Sequence, residues 1–477
     1  MANLVGREYE AAVLREALEK DESQLIAVYG RRRVGKTFLV RETFQHSFCF
    51  QHEGICKGTR AEQLAAFSGA MKDAGLPGET KIPANWLEAF QQLKDVIRSS
   101  AQKKKILFID ELSWMDTPRS DLMKALEHFW NAWASARKDI LMILCSSATS
   151  WMLDKVVHNK GGLYNRLNRR IFLQPLPLSW CRKYVDARQL GYADAQIMEL
   201  YMVLGGVPFY WSLLEKGFSV AQNVDYLFFE ENAPLGQEYT YLFASIFRYP
   251  AEYLLIIEAL SRRKTGLTRK EILQATGIAD SGVFTSKLKE LESCGFIREY
   301  HSYGKKKKES LFQLIDPYVL FYHHFQGKKP TDPQYWTHQL NSPAINIWRG
   351  LAFEQICLLH VEEIKKKLGI SGVLTDVSAF VCREDAEKGI QGSQIDLVIW
   401  RADHVVNLFE MKYTDGLYAI TKSLDRDLRR KAGDFRIAAG CRDAVHWVIV
   451  TPYGIARNAY AGNVQKEITG EDLFAET

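Results

Sequence analysis

No apolar run in this chain approaches the ~20 residues that a membrane-spanning helix needs. The longest, such as Ile140 to Cys145, are strand-length. The eight cysteines include no CxxC pair and no metal-finger spacing, which argues against a zinc site and a disulfide framework. Net charge is small too. A balance of +5 over 477 residues permits nucleic-acid binding without arguing for it, so any basic surface has to be local. The N-terminus turns charged at Arg7 and Glu8 and lacks the apolar core of a signal peptide. Reduced thiols and the missing apolar segments predict a cytoplasmic protein with no membrane partner. Repeats and low-complexity tracts are absent, apart from the lysine run at 305–308. What remains, 47% hydrophobic and 25% charged, is an ordinary globular mixture long enough for about three domains.

Gln24 to Tyr29 is a continuous apolar, β-rich run, the mark of a strand buried on both faces of a parallel sheet. It leads directly into Gly30-Arg31-Arg32-Arg33-Val34-Gly35-Lys36-Thr37, which matches G-x4-G-K-[ST] at every fixed position, and Phe38 then continues a helix. Two glycines let such a loop wrap phosphate oxygens with its N–H groups at a helix N-terminus. The motif predicts ATP as ligand, Lys36 on the β/γ-phosphates and the Thr37 hydroxyl on Mg²⁺. A second strand, Ile106 to Ile109, ends in Asp110 and Glu111. Asp110 fits the acid that holds Mg²⁺, and Glu111 the base that polarises the attacking water. A third, Ile140 to Cys145, ends in the polar cluster Ser146-Ser147-Ala148-Thr149; there Ser146 or Ser147 either senses the γ-phosphate or caps a helix. Beyond it lie Arg166, Arg169 and Arg170. Arg166 first, and Arg169 second, could act as an arginine finger on a neighbouring subunit's ATP, which would require a homo-oligomer; the alternative is a solvated basic turn.

These motifs occur together with Val5-Gly6-Arg7-Glu8, Asp110-Glu111-Leu112-Ser113-Trp114, Phe129-Trp130-Asn131, Ser146-Ser147-Ala148-Thr149-Ser150-Trp151 and Gly205-Gly206-Val207-Pro208-Phe209-Tyr210. In that order they resemble the AAA-type DExx-box ATPases of archaea and bacteria, a branch close to the STAND NTPases. Those relatives usually carry Gly where Ser146 stands. The resemblance implies a helical lid whose Gly-Gly-x-Pro segment touches the nucleotide, with Pro208 and Tyr210 at the base or ribose, unless that segment is a structural helix junction.

From Glu252 the pattern becomes a helical trio. Thr268-x-x-Glu271 reads as a capping box, and Asp280 or Ser281 caps a third helix with Val283, Phe284, Leu288 and Leu291 at helical spacing. Phe296–Tyr300 and Leu311–Ile315 then flank a polar loop holding the lysines at 305–308. This is the order of a winged helix-turn-helix. It would set Ser281, Thr285, Lys287 and Lys289 in a DNA groove and the wing lysines on phosphates, or else serve protein partners.

In the last part, Ser393–Trp400 and Val405–Lys412 form a hairpin across a four-residue turn. Pairing Trp400 with Val405 puts Asp396 opposite Phe409; a one-residue shift puts it opposite Glu410. Glu410 and Lys412 share a face of the strand. This D-x13-E-x-K pattern looks like the PD-(D/E)xK nuclease core. It implies Mg²⁺ or Mn²⁺ on Asp396 and Glu410, a catalytic Lys412, and Glu354 as an extra metal ligand from the first helix. The alternative is a folded remnant used for contacts. The fold expected is α/β and multidomain: an AAA-like P-loop NTPase domain over 1–177, a helical lid over 178–240, a winged helix-turn-helix over 241–326, a linker over 327–345 and a restriction-endonuclease-like α/β domain over 346–477.

Overall fold

A computed structural model of the chain describes residues 4–78, 81–158, 161–163, 165–304, 310–328 and 330–476. The chain forms two compact units. One holds Met1–Pro175, Thr240–Pro250 and Ser286–Cys294; the other holds Leu176–Tyr239, Ala251–Thr285 and Gly295–Thr477.

The first unit is built on strands β1 (Gln24–Tyr29), β2 (Phe50–Glu53), β3 (Lys105–Asp110), β4 (Ile140–Ser146) and β5 (Arg169–Phe172). All pair in parallel, in the order β2-β3-β4-β1-β5. Every residue of β1 is buried, because successive side chains feed opposite faces of the sheet. Leu25 and Ala27 join one apolar layer with Phe67, Phe90 and Leu126. Ile26 and Val28 join the other with Leu39, Phe108 and Ile143. Since the strands are parallel, Gly30, Glu53, Asp110 and Ser146 all emerge at one edge. β4 runs between β1 and β3, so its polar end stands between the glycine-rich loop and the acids.

The second unit opens with helices over 178–228. It continues with the helices Ala251–Ser261 and Arg269–Thr276, the start of the helix Gly282–Ser293, and an antiparallel sheet of β6 (Leu267–Thr268), β7 (Ile297–Tyr300) and β8 (Leu311–Leu314) in the order β6-β8-β7. Thr268 and Glu271 exchange the two bonds of a capping box, and Gly277 ends that helix in the left-handed conformation. Ser281 Oγ accepts from Phe284 N at 3.2 Å. Phe284 is buried as its spacing predicts, but Val283 is 64% exposed, so the apolar stripe is narrower than the sequence reading had it.

After the helix Pro343–Leu359 come β9 (Thr375–Cys382), β10 (Ser393–Arg401) and β11 (Val405–Met411), the helix Lys422–Ala439, then β12 (Ala444–Thr451) and β13 (Lys466–Thr469). β9, β10 and β11 are antiparallel; β12 and β13 continue parallel to β11. Trp400 pairs with Val406, the shifted one of the two expected registers, and continuing that pairing sets Asp396 opposite Glu410. The β9–β10 register slips between Ile395 and Val398, around Asp396 itself.

The lid segment is bonded to the C-terminal segment within this unit: Arg349 pairs with Glu199 at 2.7 Å, and Leu178 N donates to His360 Nε2 at 3.0 Å. Burial pushes the pKa of that imidazole down to about 4, which suits an acceptor that stays neutral. The segment 327–345, expected as a linker for its Gly and Pro, carries a buried anchor. Trp336 is fully buried, and the Asp225 carboxylate accepts from Trp336 N, Thr337 N and Thr337 Oγ1 at 2.7, 3.0 and 2.5 Å.

Candidate functional site

The glycine-rich loop of the first unit has the conformation its motif requires. Gly30 has φ 146, and a Cβ there would lie 2.1 Å from the Leu173 carbonyl oxygen. Gly35, in the left-handed region at φ 90, caps the helix Lys36–Thr43. Lys36 is buried, its ammonium donating to the Gly30 and Arg31 carbonyls at 2.9 and 3.0 Å. Of the loop's arginines, Arg31 is buried and Arg32 and Arg33 are half-buried, while Val34 packs under the loop and Phe38 is exposed. Arg7 braces the loop from outside, donating to the Val34 carbonyl at 3.3 Å and to that of Gln174.

Thr37 Oγ1 donates to Asp110 Oδ2 at 2.6 Å. A hydroxyl and a carboxylate in contact are hard oxygen donors of the kind Mg²⁺ takes. Glu111 sits in the left-handed conformation at φ 48, ψ 44, which costs a non-glycine residue about 1–3 kcal/mol and concentrates at functional sites. Its Oε2 accepts from Ser147 Oγ at 2.8 Å and Ser147 N at 3.1 Å. Ser146 turns away to Ser113, at 2.8 Å. Of the two serines the sequence offered, Ser147 therefore meets the acid. Arg166 is exposed on the turn before β5, while Arg169 lies within β5 and pairs with Glu16 at 3.4 Å.

In the second unit Asp396, Glu354, Glu410 and Lys412 share a neighbourhood but not one point. Glu354 and Asp396 both hold the Lys264 ammonium, the latter at 3.3 Å. Glu410 is paired with Lys412 at 2.8 Å and with Lys431, from the helix Lys422–Ala439, at 3.0 Å. Burial, and then the Asp396 charge, raise the Glu354 pKa. Burial works to lower that of Lys412, but Glu410 outweighs it and the net shift is upward. Among the described residues no three His, Cys, Asp or Glu groups converge as a metal site. Asp396 and Glu410 thus lie against different ammonium groups, Lys264 with Glu354 and Asp396, and Lys412 and Lys431 with Glu410. Oxygen chemistry still fits a cation between Glu354 and Asp396, where a positive charge already lies.

Residues 4–214 match the model of a family described as an ATPase domain predominantly from Archaea. The chain carries a P-loop ATPase domain. An uncharacterized protein of Methanocaldococcus jannaschii is 24% identical over 441 residues, covering 90% of this chain and 91% of that protein. Among solved structures, the chain is similar to the Walker-type ATPase PABY2304 of Pyrococcus abyssi, at 18% identity and TM-score 0.46 over 66% of this chain and 95% of the other. It is also similar to the Aeropyrum pernix ORC2 protein in its ADPNP–ADP complexes, at 16% identity and TM-score 0.41 over 67% and 93%.

Pro208 opens the five-residue helix Pro208–Ser212. Tyr210, which the resemblance puts at the nucleotide, is fully buried and donates to Glu238 Oε1 at 2.8 Å. Lys305–Lys308 lie outside the described residues. On the third helix, Thr285 Oγ1 accepts from Arg269 at 3.0 Å, and Arg269 also donates to the Ser281 carbonyl at 3.2 Å. Sequence reasoning missed Glu53, Lys264 and Lys431. Glu53 pairs in register with Asp110, and burial, followed by the charge of Asp110, raises its pKa. Its only signal was the alternation Phe50-x-His52, both buried, ahead of an acid. Among the described residues, no helix is long and apolar enough to cross a membrane.

Proposed function

We propose that the chain hydrolyses ATP at the glycine-rich loop and uses the nucleotide state to control a metal-dependent DNA nuclease site in its C-terminal part. The contact of Thr37 with Asp110, beside a Glu111 held in strained backbone, carries the first half of this reading. Lys36 binds the β/γ-phosphates, and the loop N–H groups from Arg31 to Thr37 cradle them. Thr37 and Asp110 hold Mg²⁺, which when bound neutralises charge on the transferred phosphoryl group. Glu111 accepts the proton of the attacking water, and Ser147 steers its carboxylate.

The register that sets Asp396 opposite Glu410 in the middle of a mixed sheet, with Lys412 beside Glu410, supports the second half. Glu354 and Asp396, completed by Glu410, would hold Mg²⁺ or Mn²⁺, which lowers the pKa of a bound water. Lys412 would contact the scissile phosphate. The three helices and the β6-β8-β7 sheet act as a winged helix-turn-helix adaptor to DNA. Incubating the protein with plasmid and linear DNA, with and without ATP and Mn²⁺, tests this directly. Cleavage should appear with metal and vanish in Asp396→Ala while ATPase activity survives; cleavage that persists in Asp396→Ala ends the assignment. That Glu410 is paired with Lys412 and Lys431 and not with the Lys264 shared by Glu354 and Asp396 favours a second reading, in which the C-terminal part only grips DNA or protein.

Arg166, exposed on its turn, is proposed to complete the ATP site of a neighbouring copy. Specific ATPase activity should then rise with protein concentration and fall at least about tenfold in Arg166→Ala. A flat dilution series from a protein that is monomeric with ATP would leave it a surface residue.

A further inference from the structure

Lys264 belongs to the turn between the helix Ala251–Ser261 and β6, far in sequence from the acids it meets. Its ammonium lies against Glu354, from the helix Pro343–Leu359, and Asp396, from β10. The turn is braced. Gln313 Nε2 donates to the Lys264 carbonyl at 2.7 Å, and the Tyr300 hydroxyl donates to the Thr265 carbonyl at 2.5 Å. Arg298 and Tyr300 of β7 line the same small cavity as Glu354 and Asp396. Just past β7 the chain docks on the outer edge of β9. Tyr303 N donates to Ala379 O at 2.7 Å, and Ala379 N donates to His301 O at 3.3 Å. His301 Nε2 also lies 3.2 Å from Asp376 Oδ2.

Two side chains thus hold the backbone of this turn, Gln313 at Lys264 and Tyr300 at Thr265. The Lys264 ammonium lies against both carboxylates where they line that cavity. A divalent ion and this ammonium cannot share two carboxylates without strong repulsion.

We propose that Lys264 is a built-in cation standing at the metal position between Glu354 and Asp396, so that the C-terminal site takes up a divalent ion only when the turn carrying Lys264 withdraws. The proposal rests on the metal-site reading above and adds its regulation: the adaptor that would engage DNA is also what closes the site. Contact with DNA at the adaptor, or a change passed on from the ATPase domain, is then the signal for metal entry.

The test is Mn²⁺ binding to the full-length chain without nucleotide, followed by the electron paramagnetic resonance of free Mn²⁺ and by calorimetry. Lys264→Met should bind Mn²⁺ at least about tenfold more tightly than wild type, the scale of removing one close charge. Lys264→Met combined with Asp396→Asn should lose that gain, and Lys264→Arg, which keeps the charge, should stay near wild type. Circular dichroism confirms that each variant is folded. Should Lys264→Met fail that check, Gln313→Ala, which loosens the turn and leaves the lysine, should show the same gain to a smaller extent. Equal Mn²⁺ affinity in wild type and Lys264→Met, or in wild type and Gln313→Ala where Lys264→Met is unfolded, overturns the proposal. DNA cleavage measured on the same samples separates the two readings. A Lys264→Met protein that gains Mn²⁺ but cuts nothing keeps this inference and ends the nuclease; cleavage with unchanged Mn²⁺ affinity does the reverse.

Discussion

Glu111→Gln should bind ATP as wild type does and hydrolyse it about 10²–10⁴-fold more slowly, the range a positioned general base contributes. An amide keeps the shape of the carboxylate and can still accept from Ser147, whose N and Oγ lie 3.1 and 2.8 Å from Glu111 Oε2. It cannot take a proton. The left-handed backbone at φ 48 is unchanged by the substitution, so the loop and its neighbours should hold their positions. Lys36→Ala is the counterpart and should lose binding, because its ammonium is the buried cation in contact with the loop carbonyls. Calorimetry for affinity and single-turnover hydrolysis for the chemistry separate the two. Undiminished hydrolysis in Glu111→Gln would transfer the base to Glu53, whose raised pKa and registry with Asp110 make it the nearest substitute.

Gly206→Ala should destabilise the protein by about 3 kcal/mol or more, at or beyond the upper end for overpacked sites. A Cβ there would stand 1.7 Å from the Leu176 carbonyl oxygen and 2.7 Å from both Leu176 C and N. All three are backbone atoms, and that carbonyl also accepts from the buried Tyr201 hydroxyl at 3.0 Å, so nothing flexible can give way. Leu176 N in turn donates to Gly206 O at 2.6 Å, locking the two segments together. Gly205→Ala is the internal comparison. It has φ 58 and ψ −164, backbone that only glycine adopts readily, and a nearest contact of 3.3 Å to the Pro317 ring, so its cost of about 1–3 kcal/mol comes from backbone strain and not from a clash. Urea unfolding of both variants measures the difference. Wild-type stability in Gly206→Ala would mean that this junction is looser than its hydrogen bonds imply. The close approach accounts for Gly206, and the positive φ accounts for Gly205.

What could be read from the sequence was whatever a short window encodes. β1 has the bounds expected of it, since five consecutive apolar or β-forming residues, Leu25 to Tyr29, before a glycine loop allow little else. The Thr268–Glu271 capping box and the β10–β11 hairpin were legible for the same reason: their partners lie three residues, or one short turn, apart. The hairpin's register was not fixed by its strands, and only the paired structure selects the one with Trp400 opposite Val406. Within 327–345 the Gly and Pro content gave no sign of the buried Trp336, whose backbone N–H is held by Asp225 from 111 residues away. Lys264 was invisible because its partner Asp396 is 132 residues away and nothing local marks a turn lysine as a counter-ion. Lys431 likewise reads as one of several cations along an exposed helix.

The segment 301–303 does more than bring Lys264 near two acids. β9 is the last strand of its sheet, and Val381 on it is 45% exposed. An unprotected terminal strand is a template on which any other extended chain can add itself. By bonding to Ala379, residues His301 and Tyr303 occupy part of that template. Movement that frees the acids would uncover it, so a protein held open should tend to polymerise through this strand. On the withdrawal of Lys264 proposed above, each opening would have to be brief, or made while something else covers β9.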